Sequence, residues 1–393
     1  MIPRLLESAC KSLFQQYPVL TITGSRQTGK TTLARAIFDL PYVNLEAPDQ
    51  RNFATDDPRG FLGAYPDGVI IDEVQRVPEL TSYIQVIVDE RRGNSQFVLT
   101  GSQNFSIREA LSQSLAGRTA ILNLMPLSIP ELNLTDLPQL DIDSRLRQGG
   151  FPRIVDQQLN PTQFHRDYVA TYVERDLRQL SLIRDITRFQ TFLGLCASNI
   201  GQILNLNRLA NDCGISQTTA TEWLTLLETS FILFRLKPFH ANIRKRLVKR
   251  PKLYFYDVGL VAFLLGISDT SHVRSHPLRG LLFENLVVTE VLKHQLNRNL
   301  LPDLSFYRDS EGNEVDLVVG HGDACLPIEI KSGSTVSADY FKGLKRFNAV
   351  VDHYPYGRLV VYGGEEVQHR SDNTAVVPLA DLDGVLNDRL ETK

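Results

Sequence analysis

The stretch VLTITGSRQTGKTTLARAIFDL, residues 19–40, constrains this chain more than any other. An apolar run over 19–22 leads into Gly24-x-x-x-x-Gly29-Lys30-Thr31, and a helical pattern follows at Leu33, Ala34, Ile37 and Phe38. A strand, a glycine loop and a helix in that order are what a P-loop requires. Gly24 and Gly29 allow the backbone close to phosphate oxygens, and loop N–H groups at a helix N-terminus favour negative charge. The phosphate-binding candidates are therefore Gly24, Ser25, Arg26, Gln27, Thr28, Gly29, Lys30, Thr31 and Thr32. In such a loop the lysine reaches the β- and γ-phosphates and the threonine hydroxyl ligates Mg2+.

A phosphate-bound Mg2+ needs a second acidic group, and GVIIDEVQRVPEL (68–80) supplies it. Val69, Ile70 and Ile71 read as a buried parallel strand ending in Asp72-Glu73. Asp72 is the candidate metal ligand, through water, and Glu73 the candidate for polarising the attacking water. A third apolar strand, QFVLTGS (96–102), ends in polar residues at the same expected sheet edge. Ser102 and Gln103 are thus candidates for contact with the γ-phosphate or its water. In LAGRTAILNLMPLS (115–128), Arg118 is either a finger supplied to a neighbouring subunit or an ordinary salt-bridged surface arginine.

The set TGSRQTGKTTLA, IIDEVQRVPEL, FVLTGSQ and LAGRTAILNLMPLS resembles the AAA-like ATPases that carry a carboxy-terminal domain of unknown function. The resemblance spans nearly the whole chain, with its motifs in order. It implies ATP binding by residues 24–32 with Mg2+, and hydrolysis using Asp72 and Glu73. It likens Ser102 and Gln103 to the polar sensor of AAA+ ATPases. A homo-oligomer through the ATPase domain is the matching expectation if Arg118 is a finger for a neighbouring subunit.

Around 134–160 the chain becomes rich in proline and glycine, with NLTDLPQL and QGGFPRIV, which marks a boundary. GGFPRIV followed by YVATYVERDLRQL also resembles the start of that family's second domain. Further on, Leu204, Leu209 and Ala210, a break at Cys213-Gly214, and a second helix from Ser216 to Glu228 precede a β-branched, aromatic run over 231–236. This reads as a winged helix-turn-helix. Its second helix offers Gln217, Thr218, Thr219 and Thr221 to a nucleic-acid groove. The run NIRKRLVKRPK adds Arg244, Lys245, Arg246, Lys249, Arg250 and Lys252 with no acid between them, suited to phosphate contact. The alternative is a winged helix used for protein contact beside a solvated charge run.

From about 276 the pattern changes. LRGLLFENLVVTEVLKHQL is an amphipathic helix carrying Glu284; LSFYRD, NEVDLVVG and CLPIEIKSG are strands; SADYFKGLKRFNAVV is a helix and RLVVYGG a strand. Helix, three strands, helix, strand is the core order of the restriction-endonuclease-like fold. Alternate strand residues share a face, so Glu329 and Lys331 point together. With Asp316 on the neighbouring strand they match the PD-(D/E)xK pattern, Asp316 and Glu329 as metal ligands, Lys331 beside the attacking water and Glu284 completing or orienting the site. The competing reading is a lysine paired with a glutamate on a strand face.

At 393 residues the chain is too long for one ordinary core. With 42% hydrophobic and 22% charged residues it has a globular composition, and a net charge of -3 confines any nucleic-acid affinity to local patches. Four scattered cysteines with no CxxC pair exclude a zinc motif and suit a reducing, cytoplasmic setting. The first residues lack the apolar core of a signal peptide, and no apolar run reaches the ~18 residues of a membrane span. The expected architecture is α/β throughout. A P-loop AAA-like parallel sheet (1–135) precedes a helical and winged-helix region (136–275) and a restriction-endonuclease-like α/β domain (276–393). The expected function is ATP binding and hydrolysis coupled to action on DNA, with a candidate metal-dependent nuclease domain. The alternative is a regulatory or scaffolding ATPase whose last domain binds partners or DNA without cutting.

Overall fold

The computed structural model describes residues 2–101, 114–173, 185–239, 250–322, 324–348, 351 and 355–390. Its first sheet consists of β1 (Val19–Thr23), β2 (Tyr42–Asn44), β3 (Val69–Asp72), β4 (Phe97–Thr100) and β5 (Thr119–Asn123). All pairings are parallel and the order is β2-β3-β4-β1-β5. Every residue of β1, β3 and β4 is buried, as strands covered on both faces must be. Leu20, Ile22, Ile70 and Val98 pack with Leu6, Cys10, Leu33 and Ala34 of the flanking helices. Val19, Val69, Ile71, Phe97 and Leu99 face the other way, against Phe61, Leu62, Leu80, Ile84 and Val88. The alternation of strand side chains therefore builds two cores, one on each side of the sheet.

β1 lies between β4 and β5, so the glycine loop that follows it opens into the crevice at the carboxyl edge of the strands. β3, which ends in Asp72, is separated from β1 by β4 alone.

In the middle of the chain, helix Leu206–Cys213 ends at Gly214, whose φ of 63° makes a left-handed cap. Helix Gln217–Thr229 then begins at Ser216, whose side chain accepts from the Thr219 N–H. β6 (Leu233–Pro238) and β7 (Lys252–Phe255) follow as an antiparallel pair. β6 continues past this pairing to meet β8 (Leu304–Arg308) in parallel at Lys237 and Pro238. β8 pairs antiparallel with β9 (Glu314–His321), which pairs antiparallel with β10 (Ala324–Lys331). β11 (Arg358–Tyr362), β12 (Gln368–His369) and β13 (Thr374–Pro378) complete an eight-stranded sheet, β12-β13-β11-β10-β9-β8-β6-β7.

Helix Arg279–Asn297, then β8, β9 and β10, helix Lys342–Phe347 and β11 run in the expected order. One core, from Ile129 to Leu390, runs across position 275, because β6 and β7 extend the last sheet. The middle and last segments are thus packed as one body. Helix Arg279–Asn297 also reaches the first unit: Lys293 Nζ donates to the Leu127 carbonyl at 3.0 Å, and Glu290 accepts from the Ile129 N–H at 2.7 Å. Among the described residues, no helix is long and apolar enough to cross a membrane.

Candidate functional site

The glycine loop takes left-handed backbone at three positions: Gly24 (φ 143°), Gln27 (φ 62°) and Gly29 (φ 90°). At Gly24 a Cβ would lie 2.1 Å from the Leu124 carbonyl oxygen, so the close approach of the chain after β5 admits only glycine. The loop winds over the N-terminus of helix Lys30–Ile37, the arrangement that holds phosphate. Lys30 is buried, and its Nζ donates to the Ser25 carbonyl at 2.7 Å and that of Gly24 at 3.2 Å. Burial lowers its pKa to about 8 against the pull of Glu73 and Asp72. Ser25 Oγ is buried with no hydrogen-bond partner.

Asp72, at the end of β3, is the hub of this site. Its Oδ2 accepts from Thr31 Oγ1 and from the Tyr42 hydroxyl, each at 2.9 Å, and its Oδ1 accepts from Thr100 Oγ1. The Thr31–Asp72 contact joins the two oxygens that a P-loop magnesium ion uses. That contact and the open Ser25 hydroxyl fit a magnesium nucleotide. Glu73 follows in left-handed backbone (φ 55°), and Gln75 Nε2 donates to its carboxylate. Burial raises the Glu73 pKa, opposed by Arg26 and Lys30.

The loop forms one wall of a cleft of about 940 Å³ that also reaches Arg26, Gln27, Thr32 and Glu73. Arg51 and Arg76 of the first unit and Arg153 of the segment after it also line the cleft. Sequence reasoning missed these three arginines, and also Tyr42 and Thr100. It missed Arg4 as well, whose Nη1 donates to the Thr28 carbonyl at 2.7 Å. None of them carries a local signature, although the polar end of FVLT before Gly101 pointed at the right strand edge. Ser102 and Gln103 lie outside the described residues. Arg118 sits at the start of β5, at the sheet edge opposite the glycine loop, and grips Asp89 with two nitrogens at 2.7 and 2.8 Å.

The second charged site lies on the eight-stranded sheet. Ile328 of β10 pairs with Leu317 of β9, and this register brings Glu329 and Asp316 to neighbouring positions. Lys331 Nζ lies 2.6 Å from Glu329 Oε1 and 3.4 Å from Asp316 Oδ2, and the Ile330 N–H donates to Asp316 Oδ2 at 2.8 Å. Glu284 projects from helix Arg279–Asn297 and accepts from Lys252 Nζ at 3.0 Å and the Tyr254 hydroxyl at 2.5 Å. The four predicted residues are thus brought together. Burial first, and Asp316 second, push the Glu329 pKa up to about 8; burial pushes Glu284 up to about 7 against the pull of Lys252. Glu329 Oε2 is buried with no hydrogen-bond partner, an acceptor left open for a cation. Among the described residues no three His, Cys, Asp or Glu side chains are grouped as a metal-binding set.

Lys252 corrects one sequence expectation. It belongs to the basic run, yet it is 3% exposed and turned inward onto Glu284 and Glu314, so it makes no phosphate contact from the surface. It opens β7, the end strand of the eight-stranded sheet, all four of whose residues are buried, which explains the reversal. Arg250 is exposed beside it; Arg244, Lys245, Arg246 and Lys249 lie outside the described residues. On helix Gln217–Thr229, Gln217 and Thr218 are exposed, whereas Thr219 Oγ1 is engaged with Ser216 Oγ at 2.9 Å and Thr221 Oγ1 with the Gln217 carbonyl at 2.9 Å.

Comparison with known proteins follows these units. Residues 16–133 match the AAA domain family, 139–271 a domain of unknown function (DUF8612) and 279–382 a domain of unknown function (DUF4143). The uncharacterized proteins Rv2008c of Mycobacterium tuberculosis and Mb2031c of Mycobacterium bovis are each 31% identical over 367 residues, covering 92% of this chain and 80% of theirs. An uncharacterized protein of Haemophilus influenzae is 24% identical over 279 residues, covering 66% of this chain and 64% of its own. Among solved structures, a single-substitution variant of RuvB from Thermotoga maritima aligns at a TM-score of 0.28 with 24% identity, over 59% of this chain and 86% of that one. Protein VC1899 of Vibrio cholerae aligns at 0.24 with 12% identity, over 95% and 97%.

Proposed function

The chain belongs to the family of its two mycobacterial relatives, and from that premise we propose that it binds and hydrolyses ATP and couples this to action on DNA. The AAA domain makes the first unit an AAA-family ATPase in general terms. The observation that carries the finer reading is the Thr31–Asp72 contact at 2.9 Å, with Lys30 folded onto the loop carbonyls. Thr31 and Asp72 would hold Mg2+, which neutralises charge on the phosphates when bound. Lys30, released from the Ser25 and Gly24 carbonyls, would turn to the β- and γ-phosphates. Glu73, its pKa raised by burial toward the working range of a general base, would take the proton of the attacking water. ATP turnover should vanish in Lys30→Ala and fall at least about 10²-fold in Glu73→Gln; retained turnover in both would sink the assignment.

DNA is the partner that the rest of the chain supports best. The helix-turn-helix and its β6–β7 pair have the order of a winged helix, and the basic run lies between those strands. The last domain has the order of elements of a restriction-endonuclease-like fold, with Asp316 and Glu329 as metal ligands and Lys331 beside the attacking water. Nicking of plasmid or branched DNA with Mn2+ that is lost in Asp316→Ala would support cutting. A second reading, in which this domain binds without cutting, is favoured by one observation: Lys331 and Lys252 already neutralise part of the acidic cluster. Identical nicking by wild type and Asp316→Ala, or none by either, decides for it.

A further inference from the structure

The acidic cluster holds more charge than the three-residue pattern requires. Glu314 and Asp316, two positions apart on β9, share a face. With Glu284 and Glu329 they make four carboxylates, set against two ammonium groups, Lys252 and Lys331, and the 45% exposed Arg308 guanidinium, 3.3 Å from Glu314 Oε2. The cations divide the cluster. Lys331 spans Asp316 and Glu329; Lys252 spans Glu284 at 3.0 Å and Glu314 at 2.5 Å.

The two halves differ in what an incoming ion would meet. The Lys331 side chain is 31% exposed and can swing to solvent. The Lys252 side chain is 3% exposed, with its ammonium 5.4 Å from the Phe306 ring centroid. The hydroxyl of Tyr254 donates to the same Glu284 oxygen that Lys252 holds. Displacing Lys252 would strand a buried charge, which is far costlier than moving an ammonium into water.

We propose that Lys252 is a fixed internal cation that fills the Glu284–Glu314 half of the cluster and restricts this site to a single divalent ion, at Asp316 and Glu329. The inference rests on the reading of Asp316 and Glu329 as metal ligands. It makes Lys252 a positioning residue, delivered to the last domain by β7 of the middle segment.

The test counts Mn2+ bound to the full chain without nucleotide, by electron paramagnetic resonance, in an Asp72→Asn background that removes the acid of the other site. The expected count is one, rising to two in Lys252→Met and returning to one in Lys252→Met/Glu284→Gln. A count of two with Lys252 in place, or an unchanged count in folded Lys252→Met, overturns the inference and leaves the metal reading intact. No bound Mn2+ in any variant sinks the metal reading and the inference with it. Should Lys252→Met not fold, Glu314→Gln serves: the ion is retained if Glu314 is not a ligand, and its loss makes Glu314 a ligand and overturns the proposal.

Discussion

Arg4 and Glu131, 127 positions apart, meet in a buried ion pair at 2.9 Å beneath the glycine loop. The remaining nitrogens of Arg4 donate to the carbonyls of Thr28 and Met125 at 2.7 Å each. Glu131 also accepts from the N–H groups of Leu5 and Ser128, at 2.9 and 2.8 Å. One position beyond Ser128, the Ile129 N–H binds Glu290 of the helix that carries Glu284. Loop backbone, N-terminal strap and the last domain's helix are therefore joined by buried polar contacts.

Arg4→Met is expected to lower stability by about 3–5 kcal/mol, because it leaves Glu131 buried and uncompensated. Arg4→Met/Glu131→Gln should recover part of that loss. Urea unfolding of both variants checks this, and additive effects would contradict the pairing.

Nucleotide binding should depend on pH through Lys30. Its folded pKa of about 8 lies below the usual 10.5, so between these values the unfolded chain holds the extra proton. Stability of the nucleotide-free protein therefore gains from this group as pH rises through that window. Phosphates favour the charged ammonium, so binding takes up a proton above pH 8 and affinity falls by up to about tenfold per pH unit. Calorimetry in buffers of different ionisation heat measures that uptake; its absence at pH 9 would refute the lowered value.

Two glycines make a matched pair. At Gly343 a Cβ would lie 2.1 Å from the Glu314 carbonyl oxygen and 3.0 Å from Glu329 Oε2. Gly343→Ala should lower Tm and disturb the cluster. At Gly384, in helix Leu382–Leu390, nothing lies within 4 Å, so Gly384→Ala should stabilise by about 0.5–1 kcal/mol. Differential scanning calorimetry separates the two signs.

Arg118→Ala is expected to leave both Tm and ATP turnover unchanged, because the guanidinium is held by Asp89 on an exposed edge. A drop in turnover of about 10³-fold with ATP affinity retained would instead restore the finger role in a neighbouring subunit.

What could be read before folding was what sits close in the chain. Gly24 to Thr31 form a loop of consecutive residues, and Asp72-Glu73 end an unbroken apolar strand, so their chemistry was visible. Glu329 and Lys331 were paired correctly because period-two alternation is local. Arg4, Tyr42 and Thr100 were invisible because each reaches its partner through tertiary packing, 24 to 30 positions away in the nearest cases. Lys252 was misread for the opposite reason. Its neighbours Arg250 and Lys249 made it look like one more surface charge, while its partners Glu284 and Glu314 stand 32 or more positions downstream.

The β6–β7 pair has a consequence for how such a protein can be divided. A gene fragment beginning at 276 would encode β8 as an open sheet edge, a template for pairing with other chains. It would also leave Glu284 without its Lys252 counter-charge. Shuffling the last domain onto another partner would meet the same two penalties.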